Sequence, residues 1–98
     1  NPWGEYIIAP HDGRLNAIKI ITDTSAGDVA FRYFVGPTPA LVAVQGTDTI
    51  SSLPTSTVGE VLPGIPFNRN NILKITIKPI NALGSTQITC IWEYDTNN

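Results

Sequence analysis

His11 is the one histidine of the chain and the only residue whose side chain ordinarily titrates near neutrality. Any general-base mechanism would have to use it. It sits in the turn Pro10-His11-Asp12-Gly13, where the ordinary reading is an exposed loop histidine, and no serine, cysteine or paired carboxylate stands at a cooperating position. Cys90 is the one cysteine, so an intrachain disulfide is impossible, and one cysteine with one histidine cannot build a four-ligand structural zinc site. Cys90 alternates in register with Ile88 and Trp92, which reads as a small buried hydrophobe, and Glu93 and Asp95 give the wrong charge for a reactive thiolate. Asp23 and Asp28 bracket the loop Thr24-Ser25-Ala26-Gly27 and could offer oxygen to calcium. Aspartates in such loops more often bond local backbone groups. No catalytic residue, metal or cofactor is expected.

The aromatic residues Trp3, Tyr6, Phe34 and Trp92 could stack against sugar rings, as in carbohydrate-binding sandwiches. Trp92 and Tyr94, however, fall on an inward row. Trp3, beside the terminus, is the better candidate for an anchor that caps the sandwich or enters a neighbouring subunit.

The elements that position these residues are strands. Isoleucine, threonine and valine make up 30 of 98 residues, and such β-branched side chains suit a pleated surface. Alternation is unbroken in Leu73-Lys74-Ile75-Thr76-Ile77-Lys78, with the apolar set inward. Ile88, Cys90, Trp92 and Tyr94 form a second row, with Ile91 the exception. Val29, Phe31, Tyr33 and Val35 form a third. Residues 14–23 read as a strand apolar on both faces, with Ile18 and Ile20 opposite Leu15, Ala17 and Ile21. That pattern predicts cover on both sides, from a second sheet and from a neighbouring subunit or loop. Weaker strands are expected over residues 5–9, 40–45 and 57–62. Proline- and glycine-bearing turns separate them, among them Gly36-Pro37-Thr38-Pro39 and Pro63-Gly64-Ile65-Pro66. Seven to eight short strands and no helix predict one antiparallel β-sandwich spanning residues 1–98, with residues 1–4 as an extended arm.

Charge narrows the partners. Charged residues are 14% of the chain, against about 25% in an average soluble domain, and the net charge is −2. The basic residues are scattered singly, so nucleic-acid binding through a basic face is not expected. No apolar run reaches the length of about 18 residues that a membrane helix needs. The chain contains no methionine and no signal-peptide pattern, so a processed product or the ordered part of a longer polypeptide is expected.

The segment Tyr6-Ile7-Ile8-Ala9-Pro10-His11-Asp12-Gly13-Arg14-Leu15, with the strand through Ile18-Lys19-Ile20, resembles the opening of small β-sandwich modules in tailed-phage virion proteins. There an apolar strand leads into an Ala-Pro-x-(Asp/Ala)-Gly-(Arg/Lys)-(Leu/Ile) turn. Residues 86–95 are similar to the closing strand of such modules in marine and cyanobacterial phages. Residues 67–77 resemble the family's phenylalanine, polar turn and alternating strand, with Asn70-Asn71 where the family often has Gly-Asp. The resemblance implies a jelly-roll-like, often trimeric protein of the virion surface that catalyses nothing. It would be a capsid decoration (cement) protein, or a module of a head or tail fibre. Its partners would be the major capsid protein and copies of itself, with Trp3, Tyr6 and Phe34 as candidate contact residues. The alternative is a glycan- or receptor-binding module of a fibre or spike, which predicts Tyr6 or Phe34 exposed in a shallow groove among polar neighbours.

Overall fold

The computed structural model describes residues 3–38 and 43–95, and for residues 3–5 and 43 it describes the backbone alone. The fold is all-β: two antiparallel sheets packed as a β-sandwich. The strands are β1 (Trp3–Ile8), β2 (Gly13–Thr22), β3 (Gly27–Gly36), β4 (Ala43–Leu53), β5 (Gly59–Val61), β6 (Ile65–Phe67), β7 (Ile72–Pro79) and β8 (Thr86–Tyr94). The first sheet runs β1-β7-β3-β4. In the second, β2 is central, with β8 along one edge and β5 and β6 end to end along the other. Only the β3–β4 and β5–β6 connections stay within one sheet; every other one crosses between the layers, as connections do in a jelly roll.

The inward rows make the core as the alternation predicts. Val29, Phe31 and Tyr33 of β3 and Ile75 and Ile77 of β7 are buried against Ile18 and Ile20 of β2, and Leu73 of β7 is buried in a smaller cluster beside them. Burying each such side chain stabilises the fold by about 1.5–3 kcal/mol. Tyr33 brings a hydroxyl into this core and satisfies it, donating to Asp48 Oδ2 at 2.9 Å. Burial foremost, and then the hydrogen bond to and negative charge of Asp48, push the phenol pKa far above its ordinary value.

β2 corrects the expectation for Leu15, which simple alternation sets opposite Ile18 and Ile20 with Ala17 and Ile21; the latter two are buried and half-buried outside the core of Ile18 and Ile20. Leu15 pairs with Trp92 but Ala17 with Ile91, so Asn16 is an extra residue, a β-bulge. The bulge shifts the phase of the strand and returns Leu15 to the same core as Ile18 and Ile20. Opposite this bulge the β5–β6 edge is itself interrupted: β5 pairs with Ile18–Ile20 and β6 with Gly13–Leu15. Gly64, at φ +59°, makes the bend between them. Residues 65 and 66, expected in a turn, are therefore strand. Pro66 is tolerated because an edge strand need not donate on both sides.

β4 extends beyond the expected segment to Leu53; residues 40–42 of that segment lie outside the described residues. Its alternation is broken twice. Extra residues lie opposite the β3 steps Tyr33–Phe34 and Gly27–Val29. At the second, Ser52 has φ +53° and donates its amide to Asp28 Oδ1 at 2.9 Å. Trp3 and Gly4, expected in an arm, belong to β1 and pair with Ile77 and Thr76; residues 1 and 2 of that arm lie outside the described residues.

Candidate interaction surfaces

The sandwich is four strands wide on one side and three on the other. β4 touches β5 and closes one flank. On the opposite flank β1 and β8 are the edge strands of the two sheets. Between their ends lies a cleft of about 220 Å³ lined by Ile7, Ile8, Pro10, Phe67, Trp92 and Tyr94 among others. Its walls belong to a second, smaller core of Ala9, Phe67 and Leu73, against which Ile7 and Trp92 pack half-buried. Edge-to-face contacts join the rings: Phe67 to Trp92 at 5.7 Å, Phe67 to Tyr94 at 6.3 Å, and His11 to Tyr94 at 5.5 Å. Ile8 is 66% exposed and Tyr94 41%. The inward row of β8 is thus only partly covered: Ile88, Cys90 and Trp92 are half-buried and Tyr94 is exposed. An apolar row left half open at the edge of a sandwich is a place for another chain to pack.

The turn that frames this seam is held by backbone and short side-chain bonds. Ala9 exchanges hydrogen bonds with the 70–71 turn, donating to Asn71 O and accepting from Asn70 N at 2.9 and 2.7 Å. Asp12 accepts the Arg69 amide through Oδ1 at 2.6 Å and the Asp95 amide through its carbonyl at 2.9 Å. Asn70 has φ +69°, a conformation that asparagine and glycine both accept, so Asn70 serves where a glycine would. His11 is exposed beside Tyr94.

The second surface is the outer face of the first sheet. Tyr6, Lys74, Phe34 and Val44 pair in one row across all four strands. Lys74 Nζ lies 5.3 Å from the Tyr6 ring centroid and 5.7 Å from that of Phe34, and Arg32 Cζ lies 5.9 Å from Phe34. Tyr6 is 51% exposed and Phe34 half-buried. The structure brings these two candidate residues into one row. Trp3 lies on the same strand as Tyr6, with its backbone paired to Ile77.

A wider cleft, about 310 Å³, opens at the other end of the sandwich, lined by Thr22, Asp23, Ser56, Ser85 and Thr86 among others. Hydroxyl groups in it and beside it already hold the loops together. Thr86 Oγ1 donates to Gly84 O at 3.0 Å, and Thr24 Oγ1 accepts the Gly84 amide at 3.1 Å. Asp28, one of the two candidate calcium ligands, is engaged with the Ser52 amide, and no group of three metal-ligating side chains occurs among the described residues.

The fold defines an all-β sandwich with an open apolar flank and an aromatic, cationic outer face. No family model matches the chain, and no curated protein or solved structure does either. Its function has to be read from its own surfaces.

Proposed function

We propose that the chain is a structural protein of a virion surface, a capsid decoration (cement) protein that acts through subunit contacts and catalyses nothing. The observation that carries this reading is the open flank between β1 and β8, where a sandwich four strands over three leaves Trp92, Tyr94, Ile7 and Ile8 incompletely covered. A segment of a capsid subunit, or of a second copy in a trimer, completes the layer there. It adds along a free strand edge and fills the cleft with an apolar side chain. The resemblance of residues 6–15 and 86–95 to phage virion modules supports the same reading. These two segments meet in the structure, Leu15 pairing with Trp92. The mechanism is mass action: a protein that binds the expanded shell and not the immature one stabilises the expanded state.

The test is cosedimentation with expanded shells of the capsid protein. Tyr94→Ser removes an exposed aromatic from the cleft and is expected to weaken attachment about 30-fold, the scale of a hot-spot residue worth about 2 kcal/mol. Unchanged attachment by a folded Tyr94→Ser variant would remove the flank from the account. A second reading, a glycan- or receptor-binding module of a fibre or spike, is favoured by the Tyr6–Lys74–Phe34 row on the other surface.

A further inference from the structure

The fold sorts charge in a way the linear order hides. Outward positions of the first sheet hold Arg32, Lys74 and Lys78, three of the six cations of the chain. Among the described residues the one carboxylate on that face is Asp28, at the end of β3, where it accepts the Ser52 amide. Among the described side chains the face therefore carries a net +2, in a chain whose total is −2. Lys19 and Glu60, 3.7 Å apart, form an ion pair on the other sheet. Arg32 and Lys74 have aromatic rings for neighbours and, among the described residues, no ion pair.

Hydroxyl-bearing rows stand on one side of this aromatic row, and the apolar row Ile8, Ile72 and Gly36 on the other. Rows beside Tyr6–Lys74–Phe34 pair Gly4, Thr76, Arg32 and Thr47, then Lys78, Ala30 and Thr49. Tyr6 and Phe34 stand two strands apart, about 10 Å, roughly the length of a disaccharide. Apolar rings for pyranose faces, threonine hydroxyls beside them and singly spaced cations form a consistent set.

We infer that this face binds an acidic glycan, a polymer of uronate type with about one carboxylate per one or two sugars. Tyr6 and Phe34 take the sugar faces, and Lys74, Arg32 and Lys78 take the carboxylates. Like charge on like charge disfavours packing this face against its own copy. A polyanion as dense as nucleic acid is disfavoured by the net negative charge of the chain and by the small number of cations. This inference deepens the receptor-binding reading. It is independent of the β1–β8 flank, because Tyr94→Ser tests shell attachment and leaves Tyr6, Phe34 and Lys74 in place.

The experiment titrates the full chain with alginate oligosaccharides at low salt, by calorimetry. Neutral dextran oligosaccharides, oligo(dT) and poly-glutamate serve as parallel probes. Alginate is expected to bind at least tenfold more tightly than any of the three. Lys74→Gln and Tyr6→Ala, both near or on the surface, are each expected to weaken it about tenfold. An unchanged melting temperature in Lys74→Gln separates lost binding from lost folding. Absence of alginate binding, equal binding of dextran, or tighter binding of oligo(dT) or poly-glutamate would overturn the assignment. Full binding by both variants would do the same. Loss of glycan binding with intact shell attachment would leave the decoration reading standing, and the reverse result would leave the glycan site standing.

Discussion

Gly13→Ala is expected to destabilise the fold by about 3 kcal/mol, which lowers the melting temperature of a domain this size by roughly 10–20 °C. The reason is not backbone conformation. Gly13 opens β2 directly opposite Tyr94, and a β-carbon there would run into the carbonyl oxygen of Glu93 and approach the Tyr94 Cα at 3.0 Å. Those atoms are backbone, so no rotamer change relieves the contact. β8 must move away from β2, and the Leu15–Trp92 and Gly13–Tyr94 pairs move with it. Gly64→Ala is the natural comparison. Nothing lies within 4 Å of a β-carbon at Gly64, so its cost comes from φ +59° alone, about 1 kcal/mol. Thermal unfolding of the two variants separates the causes. If Gly13→Ala proved no more harmful than Gly64→Ala, the close approach of β2 and β8 would be wrong.

Tyr33 carries the second large effect, and it appears only in alkali. Burial and Asp48 raise the phenol pKa in the folded state above its unfolded value of about 10. The neutral phenol is therefore the form that folding favours. Its stabilisation is fully present below pH 10 and is lost as pH rises, because the unfolded chain ionises first. The loss is about 1.4 kcal/mol per pH unit, so close to 3 kcal/mol by pH 12. Tyr33→Phe keeps the ring in the core and cannot ionise. At pH 7 it is expected to be less stable by about 1 kcal/mol, the worth of the bond to Asp48. Above about pH 11 the order reverses, and the variant outlasts the parent. Urea unfolding from pH 7 to 12 reads both limbs. Parallel stability curves for the two proteins would show that Tyr33 does not ionise on unfolding.

The strands that alternate without interruption were legible as residues. Leu73, Ile75 and Ile77 are buried as their spacing requires, and so are Val29, Phe31 and Tyr33. What hid from the sequence was whatever depended on register. Asn16 looks like any polar residue in a strand, yet as a bulge it decides which face Leu15 joins. β4 reads weakly because it is an edge strand with two extra residues, and among its described side chains only Leu53 at its end is fully buried. Trp92 reads as core because it falls on the inward row. Its half-exposure follows from β8 being an edge, which is a property of strand order. The glycine of the Pro-His-Asp-Gly turn is conspicuous in the sequence, but the reason for it lies eighty residues away in Glu93.

The candidate surfaces divide in the same way. Tyr6 and Phe34 could be named from the sequence as exposed aromatics in strands. That they share one row with Lys74 follows from the β1–β7 and β7–β3 pairings. The cations were legible only as isolated residues, since Arg32 and Lys78 meet on one face through antiparallel pairing of segments far apart in the chain. The flank between β1 and β8 had no local signal, because an opening in a sandwich is set by how many strands each layer contains.

The central claim is that this sandwich is a stoichiometric component of a particle exterior, bound there through its open flank. Copy number on purified particles, measured by quantitative mass spectrometry against the major capsid protein, tests it most directly. A ratio near one is the expected result. A ratio of a few per cent would contradict the decoration role and move the protein to a fibre or spike, where the Tyr6–Lys74–Phe34 face would be the working surface.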